Sequence, residues 1–467
     1  MDDSLIAGED ADQNSDSSSS HVLLDVAVQD IQPEEREVED NSEDGDDDDS
    51  ELRALPEYSY QFFVLSQYGR PIFVSSGLEE KLCNLFAIIT IFVSRVKAWG
   101  DTLQSFSAGD VFVHFMYNDP LILAVVSKRR EWLASQLDVL YEQIISTLSK
   151  TYLKEIYIKK GDNYDLRRLL KGTDNLMKTC VSSFRSDPAV FLNSIRIFPL
   201  AASDRESLSS CMVSAISAAR VDGLLFGIAI ARRQLVSFVR LKKFLVHQRD
   251  VHILINLVTD NKWMRVADNT FVPICMPHCN DTGFLYAYIT YPLVDVDLCL
   301  IMLSCKKETN EQLEQVKKDI VNRMMSSGTL VGNLAKSIKS PSPFDIAQIG
   351  QHHDHLWYFV YKNTSSQQMC MSGARPPYVS RDERRQLVRT IATASFLAHA
   401  NKNLSMAFVR RSADALFIRW TEKFELVCVF SPLITQSAAA ALSERLQRAL
   451  KSNEHRYFIT HTPSYSY

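Results

Sequence analysis

The sequence predicts an α+β protein of three layered modules, each an antiparallel sheet flanked by helices, behind an acidic N-terminal tail that does not fold. Three observations predict it. The same order of hairpin, helix, strands and helix recurs three times from residue 58 onward, which marks repeated supersecondary units. Short turns join the strands of each repeat, so neighbouring strands run antiparallel and the helices must return to cover the sheet. The chain has 467 residues and 46% apolar content, enough for several packed cores, whereas residues 1–50 contain Ser17–Ser20, Asp46–Asp49 and no Phe, Tyr or Trp. Such a segment cannot bury enough surface to offset the entropy of ordering it. The expected organisation is a tail over 1–55 and modules over 56–195, 196–340 and 341–467, with soft breaks at Arg196–Ser207 and at Ser340-Pro341-Ser342-Pro343.

In the first module, Gln61–Ser66 and Pro71–Ser75 flank the turn Gln67-Tyr68-Gly69-Arg70 and read as a hairpin. A helix follows over Glu79–Trp99. Strands Val111–Tyr117 and Leu121–Ser127 enclose Asn118-Asp119-Pro120, where proline sets the turn. The closing helix, Glu131–Leu148, places Leu133, Leu137, Leu140, Ile144 and Leu148 on one face. The second module repeats this with strands Leu224–Ala231 and Leu235–Arg240, a helix over Asp250–Val258, and strands Phe284–Tyr291 and Leu298–Ser304. Its closing helix carries an apolar stripe of Leu313, Val316, Ile320, Val321 and Met324 after a capping box formed by Thr309 and Gln312. The third module runs through Leu356–Tyr361, Gln367–Met371, a helix over Asp382–Ala400, strands Leu404–Val409, Ala415–Trp420 and Phe424–Phe430, and a helix over Gln436–Leu450.

Charge divides the chain. Residues 1–50 hold 19 Asp/Glu and one Arg, leaving 37 Asp/Glu against 50 Lys/Arg in the remainder. A cationic body is drawn to anionic lipid or acidic partners, and a tethered polyanion can restrain it by covering the same surface. Nine scattered cysteines, with Cys299 and Cys428 inside apolar runs, read as reduced thiols of a cytosolic protein. The longest apolar stretch, Leu82–Val93, is shorter than the roughly 20 residues that span a bilayer, so a soluble or peripheral protein is expected.

Catalytic motifs are missing: no phosphate-binding loop, no dinucleotide fingerprint, no H-E-x-x-H and no G-x-S-x-G. Cys275, His278 and Cys279 offer three soft ligands where a structural zinc site wants four, so a turn with packed thiols is favoured over a metal or a zinc-dependent hydrolase. His352, His353, Asp354 and His355 read as a solvated loop, and Asp295 with Asp297 as an inter-strand loop; no cofactor is expected. Two features stand out. The helix over Glu79–Trp99 is apolar on more than the face its own sheet needs, so its second face meets either a partner or a neighbouring module. Arg232, Arg233, Arg240, Lys242 and Lys243 form a basic run at the tip and exit of a hairpin, suited to an anionic or phosphoinositide membrane or to ordinary solubility. Lacking interleaved aromatics, the run does not suit nucleic acid.

Several stretches resemble one family closely: Phe62-Phe-Val-Leu-Ser with Gly69-Arg-Pro, Gln136-Leu-Asp-Val-Leu-Tyr-Glu-Gln-Ile, Asp165-Leu-Arg-Arg-Leu-Leu-Lys-Gly-Thr-Asp, Ala231-Arg-Arg-Gln-Leu-Val and Gly283-Phe-Leu-Tyr-Ala-Tyr-Ile. They resemble the SAND family, the monensin-sensitivity subunit of the vacuolar and late-endosomal fusion machinery. The resemblance runs from about Tyr58 to the C-terminus and is weakest in the third module. It implies three longin domains and a heterodimer with the calcium-caffeine-zinc sensitivity longin subunit. It also implies guanine nucleotide exchange on a late-endosomal Rab of the Rab-seven class, recruitment by an early-endosomal Rab, and peripheral attachment to endosomal and vacuolar membranes. On that footing Lys81, Asn84, Leu85, Ile88, Phe92, Arg95 and Trp99 are the expected platform for the partner and GTPase, and the basic run the membrane contact. The rival expectation is a longin-type trafficking adaptor without exchange activity.

Overall fold

The computed structural model describes residues 60–75, 82–161, 164–293, 296–401 and 405–466. The acidic tail, Lys81 and Asp295 lie outside them.

The first module contains β1 (Gln61–Ser66), β2 (Pro71–Val74), α1 (Cys83–Ala98), β3 (Ser105–Ala108), β4 (Val111–Asn118), β5 (Leu121–Ser127), α2 (Leu133–Leu148), α3 (Lys150–Lys160) and α4 (Asp174–Phe184). Its sheet order is β2-β1-β5-β4-β3. A short helix, α5 (Pro188–Phe191), and a two-residue strand, β6 (Ile195–Arg196), lead to α6 (Ala202–Ala219). The second module contains β7 (Leu224–Ala231), β8 (Gln234–Leu241), α7 (Gln248–Asp260), β9 (Thr270–Met276), β10 (Asn280–Thr290), β11 (Leu298–Ser304), α8 (Asn310–Ser326) and α9 (Leu330–Lys339). The third contains β12 (Leu356–Asn363), β13 (Gln368–Met371), α10 (Arg381–Ala400), β14 (Met406–Arg410), β15 (Ala415–Trp420), β16 (Phe424–Phe430), α11 (Gln436–Ser452) and α12 (Glu454–Tyr457), ending in β17 (Ser464–Tyr465).

Each sheet is covered on both sides, and the alternation of side chains along its middle strand shows why. In β5, Leu121, Leu123 and Val125 enter the core under α2, while Ile122, Ala124 and Val126 enter the core under α1. In β11, Leu298, Leu300 and Met302 face α8, and Cys299, Ile301 and Leu303 face α7. A strand buried on both faces reads as an unbroken apolar run, which is why β5, β7, β11, β15 and β16 coincide with their predicted bounds.

The structure adds what that reading omitted. Strands β3, β6, β9 and β17 and helices α3, α4, α6 and α9 were not predicted, and α6 occupies much of the stretch read as a break at Arg196–Ser207. The predicted capping box is absent: Thr309 Oγ1 donates to Lys306 O at 2.9 Å, and its side chain accepts nothing from α8.

The modules interlock. The parallel strand β17 extends the second sheet beside β8, and β6 extends the third beside β13. Buried Arg205 on α6 donates to Val236 O, Phe198 O and Arg456 O, so a second-module cation is satisfied partly by the third module's backbone. Burial lowers its pKa to about 10, and three carbonyls offset the lost hydration. Trp132 joins modules one and three, its indole donating to Ala392 O of α10 at 2.9 Å.

Modules one and two also meet through polar groups. Glu142 of α2 accepts from Arg249 at 2.7 Å and pairs with His278 at 2.9 Å. The His278 ring stacks on His247 with centroids 3.8 Å apart. Asp250, fully buried in the first turn of α7, accepts from His278 N while its Oδ2 has no hydrogen-bond partner. Desolvation, only partly opposed by these donors, pushes its carboxyl up to about 6.

Candidate partner-binding face and basic hairpin

α1 turns Phe86, Ile89 and Val93 onto its sheet at the three- and four-residue spacing of one helical face. Phe86 meets Phe63 edge-on at 5.5 Å. The hairpin tip leans on the same helix: Gly69, at φ +79°, sits where an added Cβ would lie 2.7 Å from Thr90 Oγ1, itself held by Phe86 O. Only glycine fits both the turn and the contact.

The other side of α1 is open. Ile91 is 59% exposed, Phe92 48% and the terminal Trp99 77%, with Leu85 and Ile88 half-buried and Asn84 and Arg95 exposed. Ile88, Phe92, Arg95 and Trp99 recur at three- and four-residue steps, so they form one continuous stripe. Phe92 touches Phe106 of β3 at 6.1 Å between centroids, which continues the patch onto the sheet edge. β3 pairs with β4 on one side, and among the described residues no strand pairs with its other side. Of the two fates open to the second face, burial by a neighbouring module is therefore not realised among the described residues.

The basic run does not form one patch. Arg232 and Arg233 lie at the β7–β8 tip, whereas Arg240, Lys242 and Lys243 lie at the far end of β8, about 20 Å away at strand rise. Its members also differ in use. Arg232 Nε donates to Ile338 O and Nη2 to Lys339 O. Arg240 Nη1 donates to Lys242 O and Phe244 O, shaping a turn that displays Lys242, Lys243 and the 76%-exposed Leu245. Sequence proximity suggests a cluster, but eight extended residues of β8 hold the two ends apart.

Three family profiles, the First, Second and Third Longin domain of FUZ, MON1 and HPS1, match residues 60–180, 222–322 and 355–454. The chain is 31% identical over 420 residues to "Vacuolar fusion protein MON1 homolog A" of Macaca fascicularis, covering 89% of this chain and 74% of that one. It is 30% identical to "Protein SAND" of Takifugu rubripes, over 94% and 81%, and 31% identical to "Vacuolar fusion protein MON1" of Yarrowia lipolytica, over 85% and 74%. The chain belongs to the MON1/SAND family. Its three antiparallel sheets with flanking helices are the three longin domains of that family, and the second apolar face of α1 belongs to the first.

The candidates for other chemistry are structural in this MON1-type chain. Cys275 lies near the end of β9 and Cys279 in the tight β9–β10 turn, both as packed thiols; Cys275 Sγ donates to Asn280 O at 3.2 Å. His278 is held by Glu142. Burial raises both thiols, Cys275 to about 12, away from the thiolate a metal needs. His353 bonds Gly350 O and Asp354 within one helical turn, and Asp297 pairs with Arg265 at 3.0 Å. Among the described residues no three His, Cys, Asp or Glu side chains converge on a metal-sized position, and no helix is long and apolar enough to cross a membrane.

Proposed function

We propose that this chain is one subunit of a heterodimeric guanine nucleotide exchange factor, paired with the calcium-caffeine-zinc sensitivity longin subunit and acting on a late-endosomal Rab of the Rab-seven class. It works peripherally on endosomal and vacuolar membranes, where an early-endosomal Rab recruits it, and promotes endosome maturation and fusion with the lysosome or vacuole. The names of its relatives as vacuolar fusion proteins support the setting.

The observation that carries the reading is the uncovered stripe of α1. Covering Ile91, Phe92 and Trp99 contributes about 1.5–3 kcal/mol per side chain at full burial, the scale of an interface anchor. An exchange factor needs no nucleophile. It binds the empty GTPase more tightly than the loaded one, and by linkage weakens nucleotide by the same factor. Displacing the switch segments that close over the phosphate and Mg²⁺ is the lever, and a ten-thousandfold faster release requires about 5.5 kcal/mol off the barrier.

The test is release of fluorescent GDP from a panel of Rabs by this chain with and without its partner subunit. Acceleration confined to the late-endosomal Rab and to the heterodimer is the expected result. A heterodimer that forms but leaves every Rab unaccelerated would identify a trafficking adaptor instead.

A further inference from the structure

The tip of the second module's hairpin is built at a backbone cost. Ala231 pairs with Gln234, so the turn is two residues long, and both are arginines at positive φ, 48° for Arg232 and 61° for Arg233. Asn and Gly are the residues such a turn favours, because a longer side chain crowds the backbone there. Two arginines in these positions point to a use for their side chains.

Arg232 directs its guanidinium at the linker to the third module. Its two bonds, 2.7 Å to Ile338 O and 3.0 Å to Lys339 O, hold the last carbonyls of α9. The next residue, Ser340, is the C-cap of that helix and opens the exposed stretch Ser340-Pro341-Ser342-Pro343, which ends at buried Phe344. Arg233 lines a small cleft with Arg232, Val258 and Tyr291, apart from the linker, and has Asp187 and Arg196 near it. Arg265 lines it too, but is paired with Asp297. Lys336 and Lys339 are exposed on the final turn of α9. The linker serine therefore follows directly on two carbonyls that hold the Arg232 guanidinium, after a final turn that carries Lys336 and Lys339.

We propose that Ser340 is a phosphorylation site for a proline-directed protein kinase and that Arg232, at the hairpin tip, is the receptor for its phosphate. The Ser340 hydroxyl attacks the γ-phosphorus of ATP; an Oγ–P bond forms, the bond to the bridging oxygen breaks, ADP leaves, and the hydroxyl proton passes to the kinase's base. Pro341 supplies the following proline and holds the backbone extended. The product carries roughly −1.5 to −2 charges with three acceptor oxygens. It sits at the negative end of the α9 dipole, so it is stable there only with local cations. A guanidinium that exchanges two neutral carbonyls for a phosphate gains charge-assisted, fork-shaped bonding. The same exchange cancels the positive charge of the tip and frees the end of α9, which is the join between modules two and three.

Kinases bind extended segments, so the last turn of α9 must open first. Helix ends open at low free-energy cost, and the Arg232 bonds raise it. Replacing the turn by Arg232→Asn with Arg233→Gly keeps the positive-φ geometry while removing both guanidiniums, so this variant is expected to fold and to be phosphorylated faster.

The experiment treats the full chain with ATP, Mg²⁺ and a purified proline-directed kinase, maps the phosphate by mass spectrometry, and titrates it by phosphorus NMR. Expected is a phosphate on Ser340, lost in Ser340→Ala and kept in Ser342→Ala. Its second pKa should lie about half a unit or more below that of the same phosphopeptide, and should return to the peptide value in the Asn-Gly variant. A Ser340 left unmodified in both the native and the Asn-Gly chain overturns the site, and a native pKa equal to the peptide's overturns the receptor. On vesicles containing phosphatidylserine, phosphorylation should weaken binding about threefold or more. That arm alone rests on the tip facing lipid: unchanged vesicle binding with a depressed phosphate pKa supports the site and removes the tip from the membrane surface.

Discussion

The helix that follows the first hairpin of each module occupies the same place in all three, yet its outer face meets three different fates. α7 buries Val251, Ile253, Leu254, Ile255 and Val258, using both its sides, because α2 and α4 of the first module pack against it. In α10, the large apolar side chains are covered except Leu397, at 45% exposure, with Trp132 and α5 closing over the outer side. α1 alone keeps a stripe of large apolar groups in solvent among the described residues. The first module thus shields its neighbours' helices and leaves its own unshielded. One architecture repeated three times provides two internal joints and one face left uncovered among the described residues.

The sharpest way to break this comparison is to cut into a covered helix. Leu254→Ala on α7 removes a fully buried side chain from the second module's core and should destabilise the protein by about 4 kcal/mol in denaturant unfolding. A loss under about 1 kcal/mol would mean that α7 is not seated in that core. The converse change, Ile91→Asp with Phe92→Asp on α1, should leave the melting temperature within about 2 °C and weaken partner binding by about 100-fold or more in titration calorimetry. Intact binding in that folded variant would remove α1 from the interface. Smaller is the effect of Lys242→Ala with Lys243→Ala, about 1 kcal/mol per charge in flotation with anionic vesicles and none in solution exchange.

The smallest effect concerns the first turn of α7, where Asp250 has no counterpart in α1. A carboxyl raised to about 6 in the folded state favours folding only while protonated, so its contribution is complete below the unfolded value of 3.8 and is lost as pH rises through 6. Asp250→Asn should therefore raise the melting temperature by about 2–4 °C at pH 7.5 and by only about half as much at pH 5. An equal gain at both pH values would show that the charge is not what the site resists.

Much of this was legible from the residues. Unbroken apolar runs located the central strands, and helix periodicity located α2, α8 and α11. The missed elements share a physical reason. β3, Ser-Phe-Ser-Ala, is short and polar because it lies on an edge, and β6 and β17 are two residues long and exist only through pairing with distant modules. β9 carries Pro273, a residue that breaks the strand pattern in sequence although an edge strand tolerates it. At the candidate face, the sequence showed a helix with too many apolar sides but not which side was covered, since that depends on how modules separated by more than 100 residues dock. The basic run misled for the same reason: neighbours along an extended strand diverge in space.

The terminal strand β17 sets a timetable. Tyr465 is buried in the second module's core, and its hydroxyl donates to Leu224 O, while β11 of that module ends at Ser304. At roughly 5–20 residues per second, a ribosome needs about 10–30 s between these points. Throughout that interval the Arg240–Leu241 edge of β8 waits on a nascent chain, a docking place for any passing extended peptide, until Ser464 and Tyr465 close it.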